Sequence, residues 1–456
     1  MSESSSKSKR RQREANAAQD SSPPPKKSVY SIFEKKTSEP SAPAEVRWKT
    51  NGTSFIVGEA FKPQPGAKVA AYDLDSTLIK VNGKHKWPKN ADDWVWWTPG
   101  VPKHLQKVAD EGYTIVVITN QNGLDGNPDK QTEMRSKFEK ICAQLRLPMW
   151  ILISMQKDHN RKPMTGLWHW LEARFLENDV EIDRSASYFV GDAAGRQDGW
   201  KVGAVKDFNN TDRKFAATLN IQFHTPEHLF LNQHCPDDKW TYGAFDPKTW
   251  PKNGPLFTPS TTPLLPNPGS CEVIVFCGYP ASGKSSFAQK HILSAGEYDY
   301  VNQDTLKTRD RCLKATEESL RNNRAVVVDN TNPDVPARAP YIALAKKYKV
   351  PVRCFLFTAD KDLATHNNYF RACHRQLMEA VERGQSVTVS TSTSEVEVIT
   401  TRIRDEAHRE RLPEMVFATF AKRYTEPTLE EGFTEIKKIN FVPDEDIRIT
   451  WERWYY

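Results

Sequence analysis

The sequence predicts an α/β protein with two Rossmann-like parallel-sheet domains behind a disordered N-terminal tail. Three observations carry that expectation. Short, mostly apolar runs alternate with helix-like segments from about residue 45 to 235. A second apolar strand, "EVIVFC" (272–277), opens directly into the glycine-rich loop "GYPASGKS" (278–285). A proline-rich stretch, "DPKTWPKNGPLFTPSTTPLLPNPG" (246–269), separates the two sets.

The expected organisation is a basic tail over 1–44, a first domain over 45–235, a linker over 236–269 and a second domain over 270–456. The tail is rich in Ser, Pro, Lys and Glu and buries too little apolar surface to fold alone. Of the formal charge of +6, residues 1–50 carry +5, so the body is nearly neutral and any nucleic-acid contact there comes from local patches. The basic clusters "KSKRRQR" (7–13) and "PPPKK" (23–27) suit a nuclear-import signal as well as a solvated tail. The apolar island "SVYSIFEKK" (28–36) loosely resembles the short peptide that docks on sliding clamps. Val29, Ile32 and Phe33 are in place, with Lys26 where that motif carries Gln.

No apolar run reaches the roughly 18 residues of a membrane span, and no secretory leader is visible at the polar N-terminus. Seven scattered cysteines, without CxxC pairs or zinc-like Cys/His spacing, read as reduced thiols.

In the first domain, strands are expected at 68–75, 113–120, 150–156 and 186–192, with helices at 128–146 and 165–177. Chemistry in such sheets gathers beyond the carboxyl ends of the strands. The first run ends in "DLDST". Asp73 and Asp75 share a face because residues i and i+2 do so in a strand. Two crowded carboxylates call for a cation or a proton, and Mg²⁺ takes oxygen ligands while holding phosphate. One carboxylate could attack phosphorus and the other manage the leaving-group proton; alone, the pair is also what a solvated strand end carries. Ser76 and the Thr119–Asn120 pair offer hydroxyls and an amide to phosphate oxygens. Lys162, in "NRKP", could neutralise an aspartyl-phosphate, and Asp192, in "VGDAAGR", could bind metal. The tryptophans of "DDWVWWTPG" (92–100) could stack on bases or pack on the sheet.

The ordered motifs DxDST, TN, K-P and GD resemble the haloacid dehalogenase phosphatase superfamily over about 45–230. The resemblance implies Asp73 as nucleophile, Asp75 as general acid/base, and Mg²⁺ on Asp73, Asp192 and the backbone carbonyl of Asp75. Asp212, in "NNTDRKFA", matches a further acidic position of that family.

In the second domain, "GYPASGKS" fits the phosphate-cradling pattern GxxxxGK[ST] after a strand. Gly278 and Gly283 let the loop aim N–H groups at ATP phosphates. Ser282 and Ser286 flank the cradle, Lys284 reaches the β- and γ-phosphates, and Ser285 reaches Mg²⁺. Asp304, in "VNQDTLK", stands where a kinase needs a group to orient an acceptor hydroxyl, and Arg371, in "HNNYFR", suits the transferring phosphoryl.

These strings, with "DNTNPD" and "YTEPTLEEGF", resemble the polynucleotide kinase/phosphatase family over roughly 45–445. The resemblance implies removal of a 3′-phosphate and ATP-dependent phosphorylation of a 5′-hydroxyl at DNA ends. Its cofactors are Mg²⁺ and ATP, and a repair ligase or scaffold is a candidate partner. Two departures stand out, Gln303 and Tyr369, where the family often has Arg; Lys307, Arg309 or Arg311 could compensate. The tail is too short and polar for the phosphopeptide-binding module of animal relatives. The Ser/Thr-rich stretch near 385–410 reads as an insertion into the lid region. A small-metabolite kinase/phosphatase and an end-binding scaffold with failed sites are the alternatives; intact Asp73, Asp75, Lys284 and Asp304 argue against the second.

Overall fold

The computed structural model describes residues 45–385 and 410–456, except 86, 252, 267 and 268. The tail with its clamp-like peptide, and the insertion with most of "TRIRDEAHRER", lie outside the described residues.

The first sheet is built by β1 (Val46–Asn51), β2 (Phe55–Ala60) and β3 (Val69–Tyr72), then β6 (Thr114–Asn120), β7 (Met149–Ser154), β8 (Tyr188–Val190) and β9 (Gln222–His224). A small hairpin, β4 (Ile79–Lys80) and β5 (Val95–Trp96), stands apart. The helices are α1 (Val101–Asp110), α2 (Pro128–Leu145), α3 (Gly166–Leu176), α4 (Thr211–Leu219) and α5 (Pro226–Leu231). Strand order is β1-β2-β7-β6-β3-β8-β9. The last five run parallel, and β1 and β2 add an antiparallel edge. That edge hairpin was not expected from the sequence.

β3 and β7 are buried end to end and β6 along its middle, as a sheet covered on both faces requires. Alternation splits them: Ala70, Tyr72 and Val117 face one core with Leu105 and Phe138, whereas Val69, Ala71 and Val116 face the other with Trp168 and Phe215. Asn127 caps α2 by accepting from the Lys130 N–H, with Pro128 at its first position. Trp94, Trp96 and Trp97 pack against the first core, so packing is the fate of that cluster.

The second sheet uses β10 (Phe257–Thr258), β11 (Val273–Cys277), β12 (Tyr298–Val301), β13 (Ala325–Val328), β14 (Val352–Phe357) and β15 (Glu435–Ile439). Around it lie α6 (Lys284–His291), α7 (Gln303–Leu306), α8 (Arg309–Arg321), α9 (Val335–Tyr348), α10 (Lys361–Gln385), α11 (Glu414–Arg423) and α12 (Arg448–Trp451). The order is β10-β15-β14-β11-β13-β12, parallel except for β10. In the parallel part of each sheet the first strand, β3 or β11, is an inner one, with the next two strands on one side of it and the last two on the other. The crevice beyond that strand is a topological switch point, where ligands bind in open α/β sheets.

Residues 236–269, expected as a linker, are bonded into both halves. The Thr241 N–H donates to Gly195 O at 2.9 Å, Phe245 joins a core with Leu363 and Trp451, and β10 pairs with β15. Prolines terminate regular structure there without freeing the chain. Across the same seam α10 lies against α3, and Met164 packs with Ala372, Cys373 and Tyr455. The Lys214 ammonium, on α4, donates to Tyr456 O at 3.1 Å and sits 4.3 Å from the Trp454 ring centre.

Two buried guanidinium–carboxylate pairs organise the second half. Arg353 is gripped by Glu272, and Arg338 is held by Glu431 through Nε–Oε2 (2.8 Å) and Nη2–Oε1 (2.6 Å). Arg338 also donates to Asn332 O and Thr425 O, both at 3.1 Å. The "YTEPTLEEGF" string is therefore the clamp that fixes the loop after β13.

Glu431→Ala strips the carboxylate from a fully buried guanidinium and is expected to cost about 3–5 kcal/mol, read as a lower urea midpoint for the second half. Burial lowers His366 and His374 to about 4. Between that value and the ordinary value near 6.5 the unfolded chain binds more protons. Stability is therefore unaffected by these groups above about pH 6.5 and falls from there to about pH 4, on the order of 3 kcal/mol for each histidine. Thermal melts across that window check it, and His366→Gln should flatten the slope.

Candidate active sites

The first site forms where β3 ends. The Asp73 N–H donates to Val190 O at 2.8 Å, which fixes its carboxylate between β8 and β6. The Lys162 ammonium, 2% exposed, donates to Asp73 Oδ1 at 2.6 Å and lies 2.8 Å from Asp212 Oδ1. A surface lysine is thereby ruled out for this position. Carboxylate oxygens of Asp73, Asp192 and Asp212 all lie within 4.8 Å of one another.

One ammonium thus faces three carboxylates, and the site carries excess negative charge. Burial, the largest influence, raises Asp73 to about 7, with Lys162 pulling it down and Asp212 pushing it up. Burial raises Asp192 well above the carboxylate range, and Asp73 and Asp212 add to this. For Lys162, burial opposes the charged form, but Asp212 and Asp73 outweigh it and the group is held charged. Clustered hard oxygen donors with surplus negative charge fit Mg²⁺.

The neighbours hold this geometry. The Asn120 side chain donates to Lys162 O and accepts from Lys162 N, both at 3.0 Å. Asn120, expected to bind phosphate, ties down the lysine-bearing loop through these two bonds. Thr119 is buried, and its hydroxyl accepts from Gln121 Nε2 at 3.0 Å. The same Gln121 amide donates to Asp75 Oδ2 at 2.7 Å. Asp75 is exposed, and its carboxylate stands outside the three-acid cluster, turned to Gln121. Ser76 is exposed beside it in a left-handed conformation (φ 59°). Thr77 is buried, and its hydroxyl accepts from the Asp192 N–H at 3.1 Å, tying the first motif to the last. Gly191 must lack a side chain, since a Cβ there would lie 2.3 Å from Asp212 Oδ2.

Sequence reasoning missed Gln121 and gave Asp212 only through the resemblance. Gln121 directly follows the Thr119–Asn120 pair, a cue within reach of the sequence.

The second site forms where β11 ends. Gly278 (φ 156°) abuts Phe357, whose Cβ would lie 2.8 Å from an added one, and Gly283 takes φ 92° as it turns into α6. Lys284 is buried and folds over the loop, donating to Gly278 O at 3.1 Å and Ser282 Oγ at 3.2 Å. Burial lowers it to about 8; Asp329 opposes that, and the Arg371 charge adds to it. Arg371 thus acts on the loop from α10, where its Nη2 donates to Asn368 Oδ1 at 3.1 Å. Ser285 and Ser286 begin α6, Ser286 exposed.

Asp304 is exposed on α7, its N–H capped by Asn302 Oδ1 at 2.8 Å. Asn302 also donates to Asp329 O at 2.7 Å, so the acceptor-side turn and the β13 loop move as one. Asp329 is the residue the sequence reading left without a role. It is 2% exposed, takes the Tyr300 hydroxyl on Oδ2 at 2.6 Å, and its Oδ1 has no hydrogen-bond partner among the described residues. A buried carboxylate oxygen beside a phosphate loop fits a cation or its water shell. Lys307, expected to meet phosphate, is exposed and donates to Asp304 O at 2.7 Å, bracing that turn. Gln303 is exposed, its N–H donating to Asn330 Oδ1 at 2.8 Å. At the other departure, the Arg411 guanidinium lies 5.1 Å from the Tyr369 ring centre and donates to its hydroxyl at 3.4 Å, so a cation stands at that place after all.

Residues 68–230 match the family described as polynucleotide kinase 3 phosphatase, and residues 307–388 match an AAA domain. A bifunctional polynucleotide phosphatase/kinase of Schizosaccharomyces pombe is 33% identical over 455 residues, covering 95% of this chain and 98% of the relative. A polynucleotide 3′-phosphatase of Saccharomyces cerevisiae is 26% identical over 218 residues, 36% of this chain and 88% of the relative. A D-glycero-beta-D-manno-heptose-1,7-bisphosphate 7-phosphatase of Haemophilus ducreyi is 27% identical over 142 residues, 28% and 73% respectively. The phosphatase half is thus shared with single-function relatives, while the S. pombe similarity runs through both sites, and the chain belongs to the bifunctional polynucleotide phosphatase/kinase family.

Proposed function

We propose that this chain heals DNA ends, removing a 3′-phosphate at the Asp73 site and transferring the γ-phosphate of ATP to a 5′-hydroxyl at the Lys284 site. The carrying observation is the pair of sites at the two switch points: a three-carboxylate, one-lysine cluster after β3 and a phosphate loop after β11. The S. pombe relative, similar across both, supports the polynucleotide substrate.

In the phosphatase, Asp73 attacks phosphorus and becomes the aspartyl-phosphate. Lys162 offsets the charge on the transferring group. Asp75, oriented by Gln121, gives a proton to the leaving 3′-oxygen and then takes one from the attacking water. Asp73, Asp192 and Asp212 would hold Mg²⁺, which when bound would neutralise charge on the phosphoryl oxygens. In the kinase, Asp304 orients the 5′-hydroxyl and accepts its proton, while Lys284 and Arg371 stabilise the transferring phosphoryl. Ser285 and Asp329 are the oxygen groups suited to the Mg²⁺ that accompanies ATP. The proposed products, a 3′-hydroxyl and a 5′-phosphate, are what a ligase consumes, so a repair ligase or its scaffold is the partner proposed. The basic clusters at 7–13 and 23–27 support the nucleus as the compartment.

The test is a nicked duplex bearing 3′-phosphate and 5′-hydroxyl, supplied with Mg²⁺ and ATP. Asp73→Asn should lower phosphate release roughly 10³-fold or more while sparing 5′ labelling. Lys284→Ala should lower 5′ labelling roughly 10²-fold or more and spare phosphate release. Loss of both activities from either change in a folded protein would contradict two separate sites, and unlabelled sugar phosphates competing as well as oligonucleotide would contradict the substrate.

A further inference from the structure

Between the metal-cluster residues Asp192 and Asp212 the chain leaves the sheet as an arm, residues 195–209. Its base is stapled. The Gly195 N–H donates to Asn209 O at 3.1 Å and the Asp207 N–H to Arg196 O at 2.9 Å. The buried Arg196 guanidinium bonds Asp207 (Nε–Oδ2 2.8 Å) and Glu227 (2.6 Å). Residues 239–241 run alongside, with Arg196 in an isolated antiparallel bridge to Trp240 and Gln197 N–H donating to Lys239 O at 2.8 Å. Near the tip, the Gly199 N–H donates to Ala204 O at 2.9 Å, and both Arg196 and Lys201 lie over the Trp200 ring.

This well-braced arm displays what a soluble surface normally hides. Val202 is fully exposed, Phe208 is 93% exposed and Val205 77%, with Lys201 and Lys206 interleaved. Beside it runs a groove of about 410 Å³ lined by Arg196, Gln197, Asp198, Lys206, Asp207 and Asn209, among others. The Ala193 N–H donates to Asp212 Oδ2 at 3.1 Å and the Ala194 N–H to Asp207 Oδ2 at 3.2 Å, so arm and metal cluster share one backbone anchor. Exposed apolar side chains mixed with lysines, next to amide-lined space, match what a nucleic-acid strand presents: base faces, phosphates and base edges.

We propose that the 195–209 arm is the strand-binding element of the phosphatase. Phe208, Val205 and Val202 pack against bases upstream of the 3′-phosphate, and Lys201 and Lys206 meet their backbone. The proposal rests on the polynucleotide reading above and adds where the strand lies. A mononucleoside 3′-phosphate or p-nitrophenyl phosphate fills the catalytic pocket without reaching the arm.

The experiment compares the parent with Phe208→Ala, and with Val202→Ser/Phe208→Ala/Lys206→Ala, on a 3′-phosphorylated oligonucleotide and on p-nitrophenyl phosphate. These side chains are solvent-exposed, so folding should be untouched, and 5′-kinase activity serves as the control. One lost stacking contact should lower oligonucleotide kcat/KM by about 5- to 10-fold, and the triple variant by more, mostly through KM. p-Nitrophenyl phosphate hydrolysis should stay within about twofold. Unchanged oligonucleotide kinetics would overturn the arm's role, leave the polynucleotide reading standing and assign the apolar tip to a protein partner. Equal losses on both substrates would also overturn it. A parent that hydrolyses p-nitrophenyl phosphate but not the oligonucleotide would overturn both readings.

Discussion

The phosphatase half depends on one buried charge, the Lys162 ammonium between Asp73 and Asp212. Burying a lone ammonium costs several kcal/mol after relaxation, so the lysine is stable there only with carboxylates, and the carboxylates are tolerable together only with a cation. Each side of that balance is separately anchored. Asn120 holds the lysine's backbone from β6, Val190 O fixes Asp73 from β8, and the start of α4 delivers Asp212. A displacement of any of these elements would leave charge uncompensated in a nearly dry site. That penalty keeps the site preorganised for a reaction in which negative charge arrives as phosphate.

The kinase half is built on a softer constraint. Its loop lysine rests on main-chain carbonyls, with no carboxylate in direct contact among the described residues, and Asp329 keeps one oxygen without a hydrogen bond among them. Lys284 lies beyond β11, where the order reverses, and Asp329 beyond the neighbouring β13. The halves are bolted together by α10 on α3 and by the chain near Trp454–Tyr456 on Lys214, two residues beyond Asp212. Met164, two residues beyond Lys162, packs on the helix that carries Arg371. Residues framing the two chemistries are thus members of one packed seam, although each reacting group belongs to its own sheet.

Much of this could be read from residues in a row. The runs 69–72 and 273–277 are apolar throughout because both faces of their sheets are covered, and the carboxylates or glycines that follow mark the strand ends. The β1–β2 edge was hidden, because "VRWKTNGTSFIVGEA" mixes polar and apolar residues as a half-exposed hairpin does. The 236–269 stretch misled because proline counts report lost regularity, whereas its anchoring comes from Phe245, Trp250 and β10 meeting distant partners. At the sites, residue type singled out Asp73, Lys162 and Lys284, and the structure buries all three. It did not foretell that the Asn120 amide bonds the Lys162 backbone, that Lys307 braces Asp304, or that Asp329 is buried. Those facts depend on which groups meet across the sheet.

The account turns on Asp73 as the group that takes the phosphate. The parent enzyme, quenched within its first turnover, should carry the acyl phosphate on that side chain. Mixing it with an oligonucleotide carrying a ³²P-labelled 3′-phosphate, quenching rapidly and mapping the label by peptide mass spectrometry reads that directly. The expected result is label on Asp73. Phosphate release continuing with no protein-bound label, or label on another residue, would contradict the account.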